Sequence, residues 1–139
     1  MNWKLILQLS LFGLAMGIAT VFVIPSRIEP FVWLVIFAIC AYIIARRCTR
    51  RYFLHGLLVS MANSVWITAA HILLFERYLA THPDEAAMIA STPLPDSPRL
   101  MMAITGPAIG IISGVVLGLF AVAAHKLLRR GGRAAHPPS

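Results

Sequence analysis

Four long apolar stretches, separated by short segments that hold nearly all the charged residues, constrain the fold of this chain more than any other feature. They cover residues 5–24, 30–45, 53–75 and 100–124. About 20 apolar residues in a helix cross the hydrocarbon core of a membrane, and a single strand there would leave its backbone polar groups unpaired. The sequence therefore predicts an all-α integral membrane protein, a bundle of four transmembrane helices formed by residues 1–130 as one domain.

The charged residues divide unequally between the two sets of flanks of these stretches. One set holds nine of the 12 basic residues and none of the acids: Lys4, Arg46, Arg47, Arg50, Arg51, Lys126, Arg129, Arg130 and Arg133. The other holds all five acids and only Arg27, Arg77 and Arg99. Because the basic flank of a multi-pass protein lies in the cytoplasm, both termini are expected there, in a bacterial inner (cytoplasmic) membrane.

The amino-acid composition limits which partners and which class of protein are expected. Hydrophobic residues make up 59% of the chain and charged residues 12%, whereas about a quarter of a soluble domain is charged. The basic residues flank the apolar stretches, so the expected partner is the lipid bilayer and no nucleic acid is expected.

The segment between the third and fourth stretches is the one sizeable extramembrane segment. Thr81 followed by Pro83, Asp84 and Glu85 is typical of a helix start, with a capping residue, proline in the first turn and acids near the positive end of the dipole. We expect a short helix from there to about Ala90, lying on the outer membrane surface. Residues 131–139 are expected to form a disordered cytoplasmic tail.

Glycines recur at spacing four in the last stretch, where residues four apart share a helix face. The row consists of Gly106, Gly110, Gly114 and Gly118, and the first stretch has a shorter version, Gly13 and Gly17. Small residues let helix backbones approach closely in membranes. The first and fourth helices are therefore expected to pack on each other, within one chain, across a homo-oligomer, or against another membrane protein.

Polar residues of the third stretch share one side of the predicted helix. At 100° per residue they fall within an arc of about 140°; they are Ser60, Asn63, Ser64, Thr68 and His71. Polar groups at this depth must face protein or water. Two interpretations follow: these side chains bond to neighbouring helices, or they line a small hydrated cavity in which Asn63 and His71 contact an ion or small polar ligand.

The sequence contains no pattern that indicates catalysis. No stretch has an acidic or basic residue between its ends, and there is no nucleophile–base pair, phosphate loop or paired-carboxylate site. We expect no enzyme, no metal and no cofactor. The favoured function is a non-enzymatic accessory or assembly protein that acts through helix packing. The alternative is a small channel or carrier for an ion or small polar solute that uses the polar face of the third helix.

The unequal charge distribution makes a topology prediction. A reporter that is active only in the cytoplasm should be active when fused after Ser139, and it should be silent when inserted at Ser91. Activity at Ser91 and silence after Ser139 would rule out the predicted orientation.

Overall fold

The computed structural model describes residues 1–93 and 96–134, with side chains described up to residue 130. Within these ranges the chain is helical and has no strand. Its helices are α1 (Trp3–Phe22), α2 (Glu29–Arg47), α3 (Tyr52–Leu73), α4 (Phe75–Thr81), α5 (Pro83–Ala90) and α6 (Pro98–Ala134). Four of them, α1, α2, α3 and α6, are long and apolar enough to cross a membrane. At this level the prediction of an all-helical fold with four apolar helices of membrane-spanning length is confirmed.

Local chemistry explains where the long helices begin and end. The Asn2 side chain accepts a hydrogen bond from Leu5 N at 3.1 Å and caps the start of α1. Helix α2 has Glu29 and a proline in its first turn and two arginines in its last, all at the ends that favour them. Arg51, with φ of 57°, adopts the left-handed conformation that turns the chain from α2 into α3.

The segment after α3 differs from the prediction. The third helix ends at Leu73 and a separate short helix, α4, follows it. Thr81 ends α4 and does not cap α5, whose N-cap is His82. The reason is that the Thr81 hydroxyl lies within hydrogen-bond distance of two α4 carbonyls and of Val21 O in α1, so it is committed to those groups.

The last helix is longer than the predicted apolar stretch. It runs to Ala134, so residues 131–134, which were expected in the disordered tail, continue the helix. Residues 135–139 of that predicted tail lie outside the described residues.

The ends of the long helices gather the charges into two groups. At one end, here called the basic end, the starts of α1 and α3 meet the ends of α2 and α6. Asn2 N donates to His55 Nε2 at 3.1 Å, and the Tyr52 ring stacks on His125 at 4.0 Å. The opposite, acidic end carries Glu29, Glu76, Asp84 and Glu85 on α2, α4 and α5.

Helix α3 is the central element of the packing. It lies along both α1 and α6, while α2 packs mainly on α6. The apolar core brings the four long helices together and includes Leu5, Ile6, Leu9, Met16, Ile36, Cys40, Ala41, Ile44, Val59, Leu117 and Ala121. Both cysteines, Cys40 and Cys48, are buried and free.

The glycine row of α6 lies against α3. A Cβ atom added at Gly118 would be 2.6 Å from Phe53 Cδ2 and 2.8 Å from its carbonyl oxygen. One added at Gly114 would be 2.8 Å from Leu57 Cδ1. Gly106 and Gly110 face Thr68 and Ser64 in the same way. The groove of the row therefore receives α3 of the same chain.

The glycines of α1 also face α3. A Cβ atom at Gly13 would be 2.5 Å from Asn63 Cα, and one at Gly17 would be 3.0 Å from Ala70 Cβ. The expectation that the first and fourth helices pack on each other within one chain is therefore corrected, because α3 is the partner of both glycine rows. Helix α3 contributes its own glycine, Gly56, whose added Cβ atom would be 2.7 Å from Gly118 Cα.

This close packing predicts that adding one methyl group at these glycines will lower the stability of the protein. Gly13→Ala and Gly56→Ala each place a methyl group against backbone atoms that cannot rotate away, so two helices must separate. Overpacking of this kind costs about 1–3 kcal/mol of unfolding free energy. Ala15→Leu, on the exposed side of α1, is the matched control and should leave unfolding in mild detergent unchanged. Equal stability of all three variants would contradict the close approach.

Candidate functional site

A cavity of about 690 Å³, here called the wedge, lies between the N-terminal half of α2 and the α3–α6 pair. Its position follows from the way in which α2 packs. The buried residues of α2 begin only at Ile36 and are Ile36, Cys40, Ala41, Ile44 and Ala45. The first two turns have none, so α2 separates from α3 and α6 toward the acidic end.

The walls of the wedge differ in chemistry. Helix α2 contributes the large apolar and aromatic side chains of Trp33, Leu34 and Phe37. The facing wall carries all five polar residues predicted on the third helix, Ser60, Asn63, Ser64, Thr68 and His71. Helix α6 completes the cavity with residues that include Thr105, Gly106, Ile109, Gly110 and Ser113. A molecule in the wedge would have an aromatic surface on one side and hydrogen-bonding groups on the other.

Asn63 is held at the α1–α3 interface by its amide oxygen. Its Oδ1 accepts a hydrogen bond from Gly13 N at 2.9 Å, which the close approach at Gly13 makes possible. The residue is 2% exposed, and its Nδ2 finds no hydrogen-bond partner among the described residues. A buried, unpaired amide donor is energetically costly, so this residue has one structural bond and one unused donor.

Ser64 and Thr68 are positioned mainly by the glycines of α6. The Ser64 hydroxyl donates to Met61 O at 2.8 Å in its own helix, which satisfies its donor without a neighbour. Both side chains lie where Cβ atoms of Gly110 and Gly106 would otherwise be. These two residues therefore fill the α3–α6 contact and border the cavity from there.

His71 connects α3 to α1 near the acidic end. The Thr20 hydroxyl lies 2.9 Å from Met16 O and 2.9 Å from His71 Nε2. If the hydroxyl donates to Met16 O, as threonine does within helices, His71 Nε2 is the donor to Thr20. The imidazole also stacks on the Tyr78 ring at 4.0 Å, and that ring stacks on His82 at 4.5 Å.

Two carboxylates line the end of the cavity beyond His71. Glu85 of α5 accepts hydrogen bonds from Ser26 Oγ at 2.9 Å and from Tyr78 Oη. Glu29 of α2 accepts from Trp33 Nε1 at 3.2 Å. Burial, the hydrogen bond to Glu85 and the negative charges of Glu85 and Glu29 raise the pKa of Tyr78 above its ordinary value. The phenol therefore stays protonated and remains a hydrogen-bond donor.

The sequence did not identify these residues at the acidic end as part of a site. Glu85 was assigned to the start of a helix, and that role is compatible with the structure. The contact that brings its side chain to the cavity joins distant segments, because Ser26 Oγ donates to Glu85. Nothing in the local sequence marks such a contact.

The protein matches no family model, no curated protein and no solved structure. The part of the chain that the structure describes contains no group of three or more His, Cys, Asp or Glu side chains that could hold a metal ion. Function must therefore be argued from the cavity and its neighbours.

The bond between Thr20 and His71 can be measured by a double-mutant cycle. Thr20→Val keeps the shape of the side chain and removes the hydroxyl, and His71→Leu removes the imidazole. We expect a coupling of about 0.6 kcal/mol and at most about 1.7 kcal/mol, the range of membrane hydrogen bonds, in unfolding experiments in detergent. The control pair Thr105→Val with His71→Leu should be additive, because the Thr105 hydroxyl bonds within α6. Additivity of both pairs would contradict the α1–α3 bond.

Proposed function

We propose that the four long helices form a transmembrane bundle in a bacterial inner membrane, with both termini in the cytoplasm. The support is the charge distribution, since the starts of α1 and α3 and the ends of α2 and α6 carry basic residues and no acids. In this orientation the acidic end is the outer end, and α5, with Met88 exposed, lies at the outer membrane surface.

We further propose that the protein is a small carrier that binds an amphipathic molecule in the wedge between α2 and the α3–α6 pair. The single observation that carries this proposal is the cavity itself, whose 690 Å³ falls within the range of about 300–1,000 Å³ typical of small-molecule sites. Its aromatic wall suits an apolar body, and its polar wall supplies hydrogen bonds.

The accessory or assembly function is the second candidate. Its main support was the glycine row of α6, and that row is used within the chain by α3. A partner helix would instead have to use the exposed apolar side of α6, where Ile104, Ile111, Ile112 and Val115 lie. Residues of this kind also suit contact with lipid tails, so they favour a partner less than an unfilled glycine groove would.

The carrier proposal is tested with the purified chain and three aromatic compounds of similar size and different charge: benzyltrimethylammonium, N-benzylacetamide and benzenesulfonate. At least one should raise the thermal unfolding temperature in detergent, since a ligand at 100 times its Kd adds about 2.7 kcal/mol to the unfolding free energy. The same compound should be taken up by liposomes that contain this chain alone.

A variant that fills the cavity supplies the control for specificity. Ser113→Phe places a ring in the wedge and should abolish stabilisation and uptake. Ile112→Phe adds the same ring to the neighbouring, exposed position (68% exposed) and should leave both unchanged. The proposal is wrong if no compound is bound or taken up, or if Ser113→Phe binds as the wild type does.

A further inference from the structure

The charges at the outer end of the wedge indicate what kind of molecule it binds, given the carrier function proposed above. Glu29 and Glu85 both line the cavity, and the described lining residues include no lysine or arginine. Among the described residues, the ion pair that does form at this end joins Arg99 and Glu76 at 3.7 Å, and both of those side chains are mostly exposed. Among the described residues, neither cavity carboxylate forms an ion pair with a basic side chain.

Neutral donors form hydrogen bonds to these carboxylates but bring no positive charge. Ser26, Tyr78 and Trp33 supply the donors. Each acid lies in the first turn of its helix, where the dipole favours an anion. Two anions that face one partly buried space repel each other, and a cation between them would relieve that repulsion.

The wall beside Glu29 is suited to an organic cation. Trp33 lies next to the carboxylate that it bonds and packs edge-to-face on Phe37 with ring centroids 5.8 Å apart. An indole face attracts an alkylated ammonium group and tolerates its methyl groups. A bare divalent ion would instead require about six to eight oxygen ligands at short distance, and three of the four carboxylate oxygens here already accept hydrogen bonds.

Deeper in the wedge, an independent observation indicates a polar occupant. Asn63 lines the cavity, is 2% exposed, and has an amide Nδ2 without a partner among the described residues. A hydrocarbon chain from a lipid would leave this donor unpaired. It lies eight residues from His71, which is about 12 Å along the helix, so it marks the end of the site opposite the carboxylates.

From these observations we infer that the ligand is a monovalent organic cation, with its charged group between Glu29 and Glu85, an apolar body against Trp33, Leu34 and Phe37, and a hydrogen-bond acceptor able to reach Asn63.

The test compares the three aromatic compounds in wild type and in variants that neutralise each acid. Benzyltrimethylammonium, which has the charge and the apolar body but no acceptor for Asn63, should bind more tightly than N-benzylacetamide, and benzenesulfonate should not bind. Glu29→Gln and Glu85→Gln should each weaken benzyltrimethylammonium binding by about tenfold or more and should leave the neutral compound nearly unaffected. Glu76→Gln removes an acid at the same end, 87% exposed and outside the cavity, and should bind all three compounds as the wild type does.

Other outcomes separate this inference from the carrier proposal. If N-benzylacetamide or benzenesulfonate binds as well as the cation, and Ser113→Phe abolishes that binding, the cavity is a site but the charge selectivity is wrong. If Glu76→Gln weakens binding of the cation as much as Glu29→Gln and Glu85→Gln do, the cation is attracted by the surface charge in general, and the inference is overturned. If Glu85→Gln does not fold, Glu85→Asp is tested in its place, because it retains the negative charge. A folded Glu85→Asp variant that binds the neutral compound but no longer binds the cation would count against a role for the charge of Glu85.

Discussion

The close approach of α3 to two glycine-bearing helices is the contact on which the remaining packing depends. Apolar burial does not favour helix association in lipid as it does in water, so dispersion between closely packed backbones and a few hydrogen bonds must stabilise it. Gly13 and Gly17 bring α1 onto one side of α3, and the row in α6 does the same on another. The bond from Gly13 N to Asn63 Oδ1 exists because no side chain separates these two backbones.

The cavity lies beside α2, the one of the four long helices that has no glycine for close packing. Helix α2 contains no glycine, so it can approach its neighbours only where its side chains are small. The buried residues of its C-terminal half include the small side chains of Cys40, Ala41 and Ala45, whereas its N-terminal half lines the cavity with Trp33 and Phe37. Large side chains hold the N-terminal half of α2 away from the α3–α6 pair, and the cavity is the space that results. Residue size along one helix thus accounts for the position of the cavity.

The sequence was sufficient to predict the helices but not to predict which helices pack against each other. Apolar length predicted the four long helices within a few residues, except that α6 continues to Ala134, because length and polarity are local properties. The helical periodicity of the third stretch placed on one face the five polar residues that line the cavity. The partner of the glycine rows could not be derived, since spacing describes a groove and not what fills it. Thr81 was misassigned because its contact with Val21 O joins residues 60 apart.

The polar face of α3 does not divide into structural and ligand-binding residues. Asn63 bonds α1 through Oδ1 while its Nδ2 is unpaired, and His71 bonds Thr20 while it lines the cavity. Substitution of these residues therefore alters helix packing and the cavity together, and a lost phenotype there cannot be assigned to either. The carboxylates differ. In Glu29→Gln the amide oxygen can still accept from Trp33 Nε1, whereas in Glu85→Gln one acceptor oxygen remains for the two bonds from Ser26 and Tyr78. Charge can thus be removed at Glu29 while its hydrogen bond is kept, which separates binding from folding.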